Sequence, residues 1–277
     1  EIVRFGDLVE GSVKKYFRDK GWTIWDPKKH KEFQFHLFWK TKRFPANYYE
    51  NMKSRQRFNK TDGQKHVTCK DLLAKNLQRM RKEFGPIYDF LPKTWIYPAQ
   101  ATLFKAHLRS KDTKSSTQLY ICKPARLSRG RGIFLFRTQE QLLKKLSEEN
   151  KILHEQKEKK AAAAAALALN TKLPAKKNTK ISVVRRKRLV PNDIGLWVIQ
   201  RYLSKPYLLG GKKFDVRAYA AIPSTWPFLA LVYNKGIVRL SSEPYEEASA
   251  DNLYAHLTNF SINKKNKNKN KNNNNNN

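Results

Sequence analysis

Gln118-Leu119-Tyr120-Ile121-Cys122-Lys123, a connecting run from Pro124 to Arg131, and Gly132-Ile133-Phe134-Leu135-Phe136 decide how this chain folds. Two short runs rich in aromatic and β-branched residues, separated by a stretch holding proline and glycine, read as a β-hairpin. Within the connection, Ser128-Arg129-Gly130-Arg131-Gly132 puts glycines where backbone amides can approach an anion, with two guanidiniums beside them. Taken alone, the same pattern also describes a basic hairpin turn. It is not the P-loop motif, because no Gly-Lys-Ser/Thr follows and both flanks are strands. Lys123 closes the first strand, where its ammonium can meet a polyphosphate or simply reach solvent.

Downstream, strand character returns at Leu196 to Leu203, Phe214 to Ile222, Phe228 to Tyr233 and Ile237 to Leu240. Gly210-Gly211, Pro223-Ser224 and Asn234-Lys235-Gly236 supply the turns, which predicts a largely antiparallel sheet. In Lys212-Lys213-Phe214-Asp215-Val216-Arg217, strand alternation puts Lys213, Asp215 and Arg217 on one face and Phe214 and Val216 on the other. Arg239, bracketed by Val238 and Leu240 as core-type neighbours, is expected to join that charged face. By period alone the pattern fits a half-exposed charge ladder as well as a site. His256-Leu257-Thr258-Asn259 offers short polar groups for phosphate or carboxylate oxygen, or equally a turn with a satisfied histidine.

Upstream, Thr68 and Asp71 read as a helix opening, followed by Leu72, Leu73, Leu77, Met80 and Phe84 at helical spacing. Phe84-Gly85-Pro86 ends the helix, and Pro92 and Pro98 bracket a strand, Thr94-Trp95-Ile96-Tyr97. Residues 1–60, with Trp22, Trp25, Phe33, Phe35, Phe38 and Trp39, suggest short strands and packed loops. Gln139 to Leu146 reads as helix. Residues 148–190, with six alanines and the block Arg185-Arg186-Lys187-Arg188, read as a low-complexity insertion able to form a solvated helix. Residues 264–277 are a Lys/Asn repeat expected to be disordered.

The 277 residues carry a net charge of +34 with 40% hydrophobic and 12% aromatic content, enough apolar material for a core and far more positive charge than folding needs. Residues 148–190 and 264–277 account for +8 and +5 of that charge, so the remaining body is itself basic and suits an acidic partner. Cys69 and Cys122, far apart and outside any CxxC spacing, suggest neither a disulfide framework nor a zinc cluster, and fit a reducing compartment. The longest apolar run, Ala161 to Leu169, is far short of the ~20 residues that cross a bilayer, so no membrane association is expected. The chain opens on Glu1 without a charged-then-apolar leader, which reads as a fragment with no export signal. The histidines show no HExxH spacing and no Gly-x-Ser-x-Gly elbow occurs, so metalloprotease and serine-hydrolase readings lack their defining residues.

Seven blocks in order resemble the tubulin–tyrosine ligase-like family, amino acid ligases that modify tubulin. They are Val67 to Asn76, Leu91-Pro92-Lys93-Thr94, Tyr120 to Ala125, Ser128 to Ile133, Val198 to Leu203, Lys213-Phe214-Asp215-Val216-Arg217 and His256-Leu257-Thr258-Asn259. Ser128-Arg129-Gly130-Arg131-Gly132-Ile133 and the ending Ser261-Ile262-Asn263 look most like the polyglutamylase branch, whereas Arg239-Leu240-Ser241-Ser242-Glu243-Pro244-Tyr245 is also similar to the tyrosine ligase. The resemblance implies an α+β, ATP-grasp-like fold over residues 1–263, interrupted by 148–190.

It further implies that Lys123 and Lys213 contact ATP phosphates, that Arg129 and Gly130 cover the triphosphate, and that Gln200, Arg201, Tyr202 and Leu203 line the adenine pocket. Phe214 and Asp215 would help organise the nucleotide, with Thr258 and Asn259 near the phosphates. Arg217 and Arg239 would be catalytic and face the substrate or incoming amino acid, and Phe260 and Ser261 would lie near that amino acid. The implied cofactors are ATP and Mg²⁺, but the family's acidic and asparagine Mg²⁺ ligands have no counterpart before the Lys/Asn repeat, so no metal ligand is assigned. On that reading, the 277 residues alone would not incorporate glutamate into tubulin. The implied partners are the acidic tails of tubulin and free L-glutamate, in the cytoplasm, on the cytoskeleton or in a cilium or flagellum. Other readings are a tyrosine or glycine ligase, a non-catalytic microtubule-binding protein, or a nucleic-acid binder. The last draws on the basic charge and on Arg129 to Phe136, whose stacking positions are held by Arg131 and Ile133.

Overall fold

A computed structural model describes residues 1–6, 8–110, 118–170, 195–247, 250–264 and 266. The chain divides into two compact units, Glu1–Thr68 and Cys69–Asn277.

The first unit holds the short strands suggested for residues 1–60. Strands β1 (Ile2–Phe5), β2 (Thr23–Ile24), β3 (Leu37–Trp39) and β4 (Arg57–Phe58) pair in parallel in the order β2-β1-β3-β4. Helices α1 (Gly11–Asp19), α2 (Ala46–Glu50) and α3 (Lys65–Thr68) complete it. Aromatic rings hold these short strands together: Phe35, Phe38 and Phe44 are buried, and Phe44 stacks on Phe58 at 4.6 Å. The Arg4 guanidinium lies 4.1 Å from the Trp25 ring while bonding Glu32 at 2.9 Å.

The second unit carries the predicted hairpin. Strands β5 (Thr94–Tyr97), β6 (Tyr120–Pro124), β7 (Phe134–Phe136) and β8 (Trp197–Arg201) form an antiparallel sheet in the order β5-β8-β6-β7. One face buries Trp95, Phe104, Tyr120, Cys122, Phe134 and Trp197; the other buries Leu119, Ile121, Leu135 and Tyr202. Because β7 buries Phe134, Leu135 and Phe136, it presents no ring for stacking on a nucleic-acid base.

Helix α4 (Lys70–Phe84) leads through a 3₁₀ turn (Gly85–Tyr88) to β5, and α5 (Ala101–Arg109) follows it. The expected capping pair at the start of α4 does not form. Cys69 is the N-cap residue without a side-chain bond, Thr68 bonds the Gln64 carbonyl instead, and buried Asp71 pairs with Arg126 at 2.9 Å. Helix α6 (Gln139–Asn170) runs well past Leu146, into the Lys/Ala-rich stretch. It packs through Leu142 and Leu146, and the chain beyond stays helical on the propensity of Ala, Lys and Glu. The block Arg185–Arg188 lies outside the described residues.

A second antiparallel sheet, ordered β13-β10-β9, comprises β9 (Leu208–Leu209), β10 (Lys212–Arg217) and β13 (Ile237–Leu240). The strand expected from Phe214 to Ile222 breaks after Arg217. Its second half becomes β11 (Ala220–Thr225), which pairs with β12 (Phe228–Val232) as a separate hairpin. Val216, Val238 and Leu240 are 57%, 49% and 42% exposed, so the reverse of β10 and the neighbours of Arg239 are not core. Helix α7 (Leu253–His256) and a helical stretch over 260–264 close the described chain. Asn266, within the Lys/Asn repeat, is buried, and its amide bonds Glu243 at 2.6 Å.

Candidate active site

Strand pairing sets the site. Ile121 on β6 stands opposite Gln200 on β8, which brings the Lys123 ammonium to the Gln200 side-chain oxygen at 2.9 Å. Gln200 is itself oriented, since its amide donates to Thr94 Oγ1 at 2.9 Å and that hydroxyl donates to the Pro92 carbonyl at 2.6 Å. Burial, reinforced by the charge of Lys70, pulls the Lys123 ammonium below its ordinary value.

Lys213, on β10 of the other sheet, faces the same space. Its ammonium donates to the Tyr202 hydroxyl at 2.6 Å and lies 4.2 Å from the Tyr202 ring centroid. Burial and then the positive charge of Lys123 bring it down to about 8, against a weaker opposing pull from Asp215. Among the described residues neither lysine closes an ion pair with a carboxylate. Two partly desolvated ammonium groups with neutral partners form a place where an anion relieves repulsion.

A third lysine, not singled out by the sequence reading, belongs to this cluster. Lys70, at the start of α4, donates to the carbonyls of Pro124 and Leu127 at 3.0 and 2.5 Å, and its charge acts on Lys123. With the Asp71–Arg126 pair it ties down the run leading into the glycine turn.

In that turn Arg129, Gly130 and Gly132 have φ of 62°, 75° and 67°, all in the left-handed region. A Cβ on Gly130 would meet Ile262 and come within 3.2 Å of Asn259 Oδ1; one on Gly132 would come within 2.9 Å of Pro124. The Ser261 hydroxyl donates to the Arg129 carbonyl at 2.7 Å. The glycine turn therefore packs directly against residues 259–262 and Pro124, which leave no room for a methyl group. Ser261 supports this turn.

The charged face of β10 is held from β13. Asp215 and Arg239 are direct cross-strand partners joined by two hydrogen bonds, Nε to Oδ1 at 2.7 Å and Nη2 to Oδ2. Burial raises the Asp215 carboxyl, but the hydrogen bond and charge of Arg239, the Thr258 hydroxyl and the charge of Arg217 outweigh it and hold the group low. Asp215 thus gathers Arg239, Thr258 and Arg217.

The Ser241-Ser242-Glu243 run following β13 is locked to the end of the described chain. Asn263 Oδ1 accepts from the Ser242 amide and hydroxyl at 2.9 and 2.6 Å, and Asn263 Nδ2 donates to the Leu257 carbonyl at 2.8 Å. These bonds place Thr258 and Asn259 beside β10 and the glycine turn.

Other expected residues point elsewhere. Alternation beyond β8 turns Arg201 and Leu203 outward; Arg201 bonds Gln118 at 2.8 Å and Leu203 is 62% exposed. The Arg201 and Tyr202 amides already donate to the Lys93 and Leu119 carbonyls. Phe214 faces Tyr207, and Phe260 is 72% exposed.

The residues present fit a triphosphate: partly buried cations that, among the described residues, have no carboxylate ion-pair partners. They do not fit a metal. Among the described residues no three His, Cys, Asp or Glu side chains converge, and Asp215 is engaged by Arg239. Cys69 and Cys122 are free thiols, and burial pushes Cys122 far up. Among the described residues no helix is long and apolar enough to cross a membrane.

The sequence model of the Tubulin-tyrosine ligase family matches residues 49–277. The probable tubulin polyglutamylase TTLL2 of Mus musculus is 30% identical over 95% of this chain and 40% of its own length. The probable beta-tubulin polyglutamylase of Tetrahymena thermophila is 30% identical over 84% of this chain and 15% of its own. Tubulin polyglutamylase TTLL7 of Xenopus tropicalis is 31% identical over 78% and 19%. The chain thus spans 15–40% of the length of these relatives.

Proposed function

The chain belongs to the tubulin-tyrosine ligase family, and on that premise we propose that its cationic cleft binds ATP and serves an ATP-dependent ligase adding glutamate to glutamate side chains of tubulin tails. The convergence of Lys123 and Lys213 beside the glycine turn carries this reading. A carboxylate oxygen of the tail attacks the γ-phosphorus, the bond to ADP breaks and an acyl phosphate forms. The amine of free glutamate then attacks the acyl carbon, phosphate leaves, and the amine gives up a proton as the amide bond closes. The protein's part is to hold several anions together and to stabilise the transferring charge, which calls for fixed cations.

Lys123 and Lys213 neutralise the triphosphate, and the turn at Arg129 and Gly130 covers it. Arg239, held in plane by Asp215, presents its remaining N–H groups to a carboxylate, and Arg217 adds charge beside it. The basic body attracts acidic tails and speeds their encounter. The polyglutamylase names of the relatives favour glutamate as the added amino acid.

Two measurements test the reading. Calorimetric titration should find ATP binding that Lys123→Ala weakens about 10–100-fold; no binding, or binding indifferent to the substitution, contradicts the site. Mass spectrometry of tubulin tail peptides, after incubation of the intact enzyme with ATP and an equimolar mixture of glutamate, glycine and tyrosine, reads the added residue. Tyrosine or glycine in place of glutamate overturns the amino acid assignment.

A further inference from the structure

His256 is 1% exposed, and the mechanism above gives it no part. Its Nδ1 lies 2.9 Å from the Tyr202 hydroxyl, which at 2.6 Å accepts a hydrogen bond from the Lys213 ammonium. The imidazole is edge-on to the Tyr202 ring at 5.5 Å and to the Tyr245 ring at 5.2 Å, so three side chains from different parts of the chain fix one another. We propose that His256 is a positioning residue for the cleft, one that acts through the Tyr202 hydroxyl to set where the Lys213 ammonium sits and how firmly its charge is held. This deepens the assignment of Lys213 to the triphosphate and rests on it.

The argument turns on one proton. An ammonium has only donors, so Tyr202 must offer Lys213 a lone pair and send its own hydrogen elsewhere. Nδ1 of a neutral imidazole with its proton on Nε2 is an acceptor at the right distance. The Tyr245 hydroxyl donates its own proton to the Ser204 carbonyl at 2.7 Å and through its lone pairs also hydrogen-bonds Tyr202, so it and His256 are the two acceptors for the Tyr202 proton. With the tyrosine proton drawn toward His256, the oxygen lone pair and the ring face of Tyr202 both address Lys213. A protonated His256 would instead donate to the same oxygen and set a second cation against Lys213.

The geometry is anchored from behind. His256 ends α7, whose N-cap residue Asn252 accepts from the Tyr254 amide and donates to Glu243 at 2.5 Å. The charged and titratable groups facing the Lys213 ammonium are Tyr202 beyond β8, Tyr245 after β13, Lys123 on β6 and Asp215 on its own strand, with His256 behind Tyr202. Burial already brings Lys213 down to about 8, so a lost acceptor is read directly in its titration.

Amine-reactive labelling of the whole chain across pH, with Lys213 followed by peptide mass spectrometry, tests the proposal. Tyr202→Phe should lower the pH of half-reaction by about one unit, the scale of one hydrogen bond to a charged group. His256→Leu, which keeps the fit but removes the acceptor, should lower it in the same direction. His256→Asn, which can return an oxygen near the Nδ1 position, should restore the wild-type value. A His256→Leu protein that titrates like wild type, or an Asn variant displaced as far as Leu, overturns the proposal; this pair decides even where Tyr202→Phe fails to fold. Protection of Lys213 by ATP in the wild-type protein is scored separately. Its absence removes the triphosphate reading and leaves the His256 comparison standing.

Discussion

Lys123 and Lys213, from two different sheets, share one cleft: after burial, the charge of Lys123 is the main influence bringing the Lys213 ammonium down to about 8. Two cations so placed repel each other until an anion enters, and this couples the stability of the empty protein to the affinity for its ligand.

That coupling gives Lys213 two opposite pH effects. Its folded value of about 8 lies below the ordinary 10.5, so between these limits the unfolded chain binds more protons. Its contribution to stability therefore rises with pH across that window and is lost as pH falls through 8. ATP affinity should move the other way, weakening as pH rises past 8 and the ammonium disappears. Thermal melts and ATP titrations at pH 7, 8 and 9 check both signs.

Gly130→Ala should cost ATP affinity. The residue sits at φ 75°, and the added methyl would meet Ile262 and crowd Asn259. An L-residue in that conformation costs about 1–2 kcal/mol before any clash, so the turn should shift. Titration is expected to show at least a tenfold loss, and hydrogen exchange should rise over residues 128–132.

Arg126→Ala should destabilise the second unit. Asp71 is 6% exposed, and removing its partner leaves a buried carboxylate uncompensated. The expected loss is about 3 kcal/mol, the low end for breaking a buried pair from one side. A denaturant midpoint measures it.

The Asp215–Arg239 pair should persist through neutral pH and be lost only in acid. The carboxyl is held below its ordinary 3.8, so its stabilisation is complete above that value and disappears as pH falls through the lower folded value. The carboxylate is 40% exposed, so Asp215→Asn should cost little stability, under about 1 kcal/mol. Its effect belongs in the KM for the amino acid, through a loosened Arg239, and steady-state kinetics of the intact enzyme separate the two.

Much of this arrangement is legible in the residues themselves. Pro92 and Pro98 bracket β5 because proline cannot extend a ladder on either side, and the hairpin around Ser128–Gly132 follows from two apolar runs and their glycines. Alternation also puts Lys213, Asp215 and Arg217 on one face of β10, which the ladder with β13 agrees with. What the residues do not disclose depends on distant partners. Asp71 leaves the helix cap because Arg126 claims it, and Tyr202 turns inward because Lys213 and His256 meet its hydroxyl. The parallel sheet of residues 1–68 is built from strands of two to four residues, too short for a period to show. Val238 and Leu240 read as core by type, yet exposure depends on what lies over the sheet.

The most direct test is ATP binding by the wild-type chain, Lys123→Ala, Lys213→Ala and the double variant, measured by calorimetry at pH 7. Each single substitution removes a charge-assisted contact and should weaken binding about 10–100-fold. The double variant should lose less than the product of the two, because either removal alone relieves the repulsion between the ammoniums. Single variants that bind ATP as tightly as the wild type would contradict the account.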